Sequence, residues 1–180
     1  MAIGKDLSGL MSVIGYNFSD SSYLQNALTH SSYANEYKIK GLSLPSNERL
    51  ECLGDAVLQI FISEYLFESF TNQNEGKLSV MRQQLVCERT LARIAEKIGL
   101  GDYIHLGKGE EDNECRKRPK VLANAVELAL FAVKKEAVLG EGAFTYAEGY
   151  GKAVTAFQGD LRLIQMWGIH IPAHGGIDRK

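Results

Sequence analysis

The residues able to do chemistry fall in two short segments. In the first, Glu48, Glu51 and Asp55 are spaced by three and then by four. On a helix that spacing lines the three carboxylates along one stripe. Like charges so placed repel by roughly a few tenths of a kcal/mol per pair, so a bare helix gains nothing from them. In the second segment Asn124 and Glu127, three apart, interrupt an apolar run of Val121, Leu122, Ala123, Ala125, Val126, Leu128 and Leu130. A carboxylate so surrounded is expected to be partly buried, and must then be paired, protonated or bound to a cation. Glu51, Asp55, Asn124 and Glu127 together offer four oxygen-bearing side chains, two from each of two helices. Such donors suit a hard divalent ion: magnesium, with manganese as substitute. Two plainer readings stand beside this one. The first stripe fits a solvated acidic face with Arg49 nearby, and Glu127 fits an ion pair with Lys120 or Lys134.

Each segment needs a helix to carry it. Proline occurs at 45, 119 and 172 alone, so nothing forbids long helices between the first two. One helix is expected to open at Ser46 or Asn47, both good caps, and to run to Phe70. Leu50, Leu53, Val57, Leu58, Phe61 and Leu66 recur along it at helical spacing. Its second half is apolar around much of its circumference, as for a helix running through a core. Gly54 in its interior costs about 1 kcal/mol against alanine, which points to something packed close to the backbone there. A second helix is expected over residues 78–98, ending at Gly99 or Gly101. Residues 107–119 read as a polar loop. A third helix starts near Pro119 and stops at Gly140. A weaker helix is expected over 143–159, then a short helix and tail. Strand signals are weak throughout, and the fold class is all-α.

Composition narrows the function. The chain has 180 residues, 45% of them hydrophobic and 23% charged, which excludes wholesale disorder. No apolar stretch approaches a membrane span, and the first residues do not form a secretory signal. Cys52, Cys87 and Cys115 are scattered and contain no CxxC pair, which argues against zinc or a disulfide framework. A reducing compartment, the cytoplasm, is expected. The net charge of −2 is awkward for a protein holding nucleic acid by charge alone.

The segment Asn47-Glu48-Arg49-Leu50-Glu51-Cys52-Leu53-Gly54-Asp55-Ala56-Val57-Leu58 closely resembles the signature of ribonuclease III, the double-stranded-RNA endonucleases, which reads NERLEFLGDAVL and differs at Cys52 alone. The likeness continues in order: residues 28–34 (LTHSSYA), 75–78 (EGKL), 85–88 (LVCE), 106–111 (LGKGEE) and 122–127 (LANAVE). It covers roughly residues 8–135 and then fades. The resemblance implies an all-α nuclease domain, a helical bundle, over residues 1–160 with a tail over 161–180. It implies a homodimer that uses Mg2+ to hydrolyse phosphodiesters of double-stranded or hairpin RNA. By position Glu51, Asp55, Asn124 and Glu127 become the metal-centred quartet, with Asp55 and Glu127 most directly tied to catalysis. Glu48 and Glu75 match family acids at the edge of the cleft. A bound cation also resolves the charge problem, because it reverses the sign of an acidic cleft.

Two departures qualify the resemblance. Asn124 stands where the family usually has Asp; its amide still offers an oxygen but lacks a charge, so weaker metal affinity is expected. Cys52 replaces an aromatic that helps lock the family's dimer, and a small buried hydrophobe is the expected role for it. Full-length bacterial relatives carry a double-stranded-RNA-binding domain, whereas residues after the third helix show no αβββα pattern. RNA contact must then rest on the nuclease domain or on a separate RNA-binding partner. Lys108 and the cluster Arg116, Lys117, Arg118 and Lys120 are the candidate basic patch, with a solvated loop as the plainer reading; Arg82 and Lys77 are weaker candidates. His30 is expected to cap a helix or pack in the core, and Trp167 to anchor the tail, while His170 and His174 do not suggest a metal pair. The alternative function is a catalytically weakened homologue, a structural or RNA-binding subunit of an RNA-processing or ribosomal complex.

Overall fold

The computed structural model describes residues 6–139. The expected helix over 143–159, the tail, Trp167, His170 and His174 lie outside these residues, as does the division at residue 160. Within them the chain forms eight α-helices: α1 (Ser8–Ile14), α2 (Ser22–Ala27), α3 (Ser31–Ile39), α4 (Glu48–Ser69), α5 (Glu75–Val86), α6 (Glu88–Lys97), α7 (Lys108–Asp112) and α8 (Pro119–Leu139). Single 3-10 turns cover Leu100–Tyr103 and Cys115–Lys117. The described residues contain no β-strand, only one isolated parallel bridge between Thr29 and His105. The all-α expectation holds.

The bundle is organised around α8, which packs against α4, α6 and α2. Pro119 opens it, where the missing N–H costs nothing. Leu122, Ala123, Ala125, Val126 and every residue from Leu128 to Val133 are buried, so α8 is enclosed around nearly its whole circumference. The composition of the second half of α4 pointed to that central role, but α4 is one-sided. Val57, Leu58, Phe61, Ile62 and Leu66 enter the core, while Ile60 and Phe67 on the other side are 45% and 72% exposed. Apolar residues lie on two faces of α4, and the described chain covers one of them.

The helix expected over 78–98 is two helices. The break is Cys87, whose backbone is extended at φ −72° and ψ 149°. Local side chains make the break self-consistent. The Thr90 hydroxyl donates to the Gln84 carbonyl at 2.7 Å, and the Cys87 thiol donates to the same oxygen at 3.3 Å. These bonds satisfy a carbonyl that ending α5 leaves free. The second piece, α6, buries Leu91, Ala92, Ile94 and Ala95 and turns Arg93, Glu96 and Lys97 to solvent.

Residues 107–119 are more ordered than the polar loop expected of them. Gly107 N–H donates to Ser32 Oγ at 2.9 Å, and Lys108 N–H donates to Glu36 Oε1 at 2.5 Å, so α3 anchors the start of α7. A β-carbon at Gly107 would stand 2.9 Å from the Ser32 carbonyl oxygen, which explains the glycine. His30 caps α3, its ring nitrogen accepting from Ser32 N–H. Asn47 stands at the cap position of α4 without capping it; its amide instead donates to the Ala27 carbonyl at 3.1 Å and ties α4 to α2.

Candidate active site

Two long helices place the acidic residues. α4 presents Glu48, Glu51 and Asp55 on its exposed side, and α8 presents Asn124 and Glu127, both half-buried, against them. The helices meet closely at Gly54. A β-carbon there would lie 3.3 Å from Leu128 Cδ2 and 3.5 Å from the Glu127 carbonyl. The interior glycine is therefore a packing requirement: α8 lies against α4 where a side chain would otherwise stand, and this close approach brings the two polar segments together.

Their proximity has an electrostatic signature. The Glu127 carboxyl is pushed up from 4.5 to about 7, first by burial and then by the nearby charges of Asp55 and Glu51. No hydrogen bond or ion pair reaches it among the described residues, so pairing with Lys120 is not the answer to its burial; the Lys134 side chain, the other candidate, lies outside the described residues. Across the interface Asn124 Nδ2 donates to Glu51 Oε1 at 2.8 Å. Gln59 Nε2 reaches Asp55 Oδ1 at 3.5 Å from the next turn of α4.

The donor set is chemically suited to a hard divalent cation: three carboxylates and an amide, all oxygen-bearing, with one carboxylate held uncomfortably out of water. As the side chains stand, no three His, Cys, Asp or Glu residues among the described ones already form a cage for one ion. Glu51 Oε1 is held by its amide partner, and a cation taking that oxygen would compete with the amide.

The remaining candidates are placed less centrally. Glu75 is the first residue of α5, exposed, and accepts from Ser79 Oγ at 2.9 Å on its own helix. Glu48 is exposed one turn before Glu51. Lys108 is exposed at the start of α7. The basic cluster is largely engaged with protein. The Arg116 guanidinium donates to the Ile104 carbonyl at 2.8 Å, to the Gly101 carbonyl and to Glu111. Lys117 pairs with Glu114 at 2.6 Å and Arg118 approaches Glu110 at 3.8 Å. Lys120 is exposed, and Arg82 donates to Ser63 Oγ at 3.0 Å. Charge runs in the sequence signalled neither these acidic partners nor the positioning roles of Ser32, Glu36 and Gln59. Those roles depend on contacts between segments.

Cys52 departs from expectation. It is exposed on the described chain, because its side of α4 faces away from α8. With Leu53 at 50% and Ile60 at 45% exposure and the exposed Ala56, it forms an apolar stripe along α4. Helical spacing alone gave the period of α4 but not which of its two apolar faces the described chain covers.

A Ribonuclease-III-like family model matches residues 20–141. The chain belongs to the ribonuclease III-like family. Its bundle matches solved ribonuclease III nuclease domains from Campylobacter jejuni. One, at 36% identity and TM-score 0.73, is covered over 99% of its length by 93% of this chain. Another, at 36% identity and TM-score 0.70, is covered over 96% by 89% of this chain; it is described for flexibility in a region involved in dimer formation. Among curated proteins, Ribonuclease 3 of Carboxydothermus hydrogenoformans is 44% identical over 142 residues, 79% of this chain and 59% of that protein. Ribonuclease 3 of Caldanaerobacter subterraneus is 49% identical over 127 residues, 71% of this chain and 54% of that protein. The chain thus spans about half the length of the curated relatives it matches, and the ribonuclease III resemblance is to their nuclease domain.

Proposed function

We propose that this domain is an endoribonuclease that hydrolyses phosphodiester bonds of double-stranded or hairpin RNA. The observation that carries this reading is the packing of α8 on α4 at Gly54, which sets Glu127 beside Glu51 and Asp55 and raises its carboxyl to about 7. We assign Asp55 and Glu127 the catalytic roles and Glu51, Asp55 and Glu127 the holding of Mg2+, or Mn2+ in its place, with Asn124 beside them at most a weak ligand. A bound divalent ion supplies phosphate screening, a more acidic water and stabilisation of the leaving 3′ oxygen. The chain's own contribution is to gather the carboxylates and to fix α8 against α4. Glu127 carries the burial cost that ionisation next to a cation relieves. Glu48 and Glu75 border the cleft. Lys108 and Lys120 are the exposed basic groups proposed for RNA phosphates. Arg116, Lys117 and Arg118 complete that patch only where they exchange a protein partner for phosphate.

The reading includes a homodimer joined through the apolar stripe of α4 that holds Cys52, Leu53, Ala56 and Ile60. A separate partner would supply further RNA affinity. None of the described helices is long and apolar enough to cross a membrane. All three cysteines are free thiols, which fits the proposed cytoplasmic setting.

The deciding assay incubates the purified chain with a long RNA duplex and Mg2+. Cleavage that is lost in Asp55→Asn and in Glu127→Gln, with both variants folded, supports the reading. An intact duplex in the wild-type reaction overturns it. A second reading, a catalytically weakened RNA-binding or structural subunit, draws support from the Asn124 amide bonded to Glu51, and an intact duplex with retained RNA binding would establish it.

A further inference from the structure

We propose that Asn124 is a latch on Glu51, a positioning residue that opposes cation entry and gives the Glu51 carboxylate a donor in the ion-free site. The inference rests on the reading of Glu51, Asp55 and Glu127 as a divalent-cation site. Its basis is the direction of one hydrogen bond. Asn124 sits on α8 and Glu51 on α4, 73 positions apart in sequence, and the amide nitrogen faces the carboxylate at 2.8 Å. A carboxylate offers acceptors and an amide NH2 only donors, so this orientation uses Asn124 as a donor and turns its one acceptor oxygen away from Glu51. A donor and a cation compete for the same carboxylate oxygen. For Glu51 to turn fully to an ion, the latch must open. For Asn124 to become a ligand, its amide must rotate, which sets its oxygen against the Glu51 oxygen with nothing between them but the ion.

The rest of the site agrees with a latched state. No three acidic side chains among the described residues stand arranged around one point, although Asp55 and Glu51 lie close enough to Glu127 for their charges to act on it. An Asp at 124 could not form this bond while ionised. It would add a fourth negative charge facing Glu51, and that repulsion could be relieved only by a cation or a proton. Asn therefore exchanges cation affinity for an ion-free state in which Glu51 has a hydrogen-bond donor. The residue choice sets the divalent-ion concentration at which the site fills.

The test uses the full chain and Mn2+ alone, read by titration calorimetry, with melting of the metal-free protein as a second readout. The variants are Asn124→Ala and Asn124→Asp. A latch predicts that Asn124→Ala binds Mn2+ at least as tightly as wild type, by about twofold to fivefold, because competition is removed. It predicts that Asn124→Asp binds about tenfold tighter, melts below wild type without metal, and recovers in saturating Mn2+. Weaker binding by Asn124→Ala shows that Asn124 is a ligand and overturns the latch while leaving the cation site standing. Equal metal-free melting of wild type and Asn124→Asp also overturns it. Absence of Mn2+ binding in folded wild type and Asn124→Asp alike overturns both the latch and the cation-site reading.

Discussion

Replacing Glu127 with Gln should change how the metal-free protein responds to pH. In the fold its carboxyl is raised from 4.5 to about 7, so between those values the native state holds a proton that the unfolded chain has released. Stability falls with pH wherever the native state binds more protons. The contribution is therefore fully present below about 4.5, declines as pH rises through 7, and is constant above. The whole shift corresponds to roughly 3 kcal/mol. Glu127 keeps part of its surface in water, where solvent screens its neighbours, so about 1–2 kcal/mol is the expected loss. At roughly 2–4 °C per kcal/mol for a chain of this length, the midpoint should fall by about 3–6 °C between pH 5 and pH 8 on account of this one group. Glu127→Gln is nearly isosteric and cannot ionise. The variant should melt above wild type at pH 8, match it near pH 5, and show a correspondingly flatter pH profile. Differential scanning calorimetry in chelator measures the difference directly, and subtracting the two profiles cancels the titrating groups that do not interact with Glu127. Adding Mn2+ should erase the wild-type deficit at pH 8, since a cation favours the ionised carboxylate. Identical pH profiles for wild type and Glu127→Gln would refute the argument that burial and the charges of Asp55 and Glu51 act on Glu127.

Four further outcomes follow from the structure. Gly54→Val should lower stability by about 2 kcal/mol or more, because its β-carbon would already lie 3.3 Å from Leu128 and the added methyls have nowhere to go; urea titration measures it. Arg116→Ala should cost about 1–2 kcal/mol by removing the guanidinium that joins the Gly101 and Ile104 carbonyls to Glu111. Lys108→Ala should leave the melting temperature unchanged while weakening RNA binding in a salt-dependent filter assay. Ile60→Glu, on the exposed stripe of α4, should convert a dimer to a monomer in sedimentation velocity with the helical content unchanged; an unchanged dimer would place the interface elsewhere.

Much of the fold was legible because helical period is a local property. The spacing of Leu50, Leu53, Val57, Leu58, Phe61 and Leu66 required α4, and Pro119 followed by an apolar run required α8. Gly54 announced a close approach before its neighbour was known. Glu127, alone among apolar residues, had to be partly buried, and it is. The break at Cys87 was not read from the sequence, which carries apolar residues on both sides of it and no proline or glycine between residues 78 and 98. Its cause is a pair of side-chain bonds to the Gln84 carbonyl, and such bonds are available in many sequences that remain helical. Similarly, counting Arg116, Lys117 and Arg118 as a basic patch overlooked Glu111, Glu114 and Glu110, which the loop folds against them.

By itself the sequence determined which residue types could gather at a site, the two helices that carry them and the family signature around Asp55. These follow from side-chain chemistry and from a period of 3.6 residues, both carried within a single segment. Only the tertiary structure decided which face of α4 meets α8, how far Glu127 is withdrawn from water, and that the Asn124 amide points its nitrogen, not its oxygen, at Glu51. Those outcomes depend on the separation and rotation of two helices whose polar residues lie 73 positions apart. Solvent exposure and hydrogen-bond direction are properties of the pair, and neither helix holds them alone.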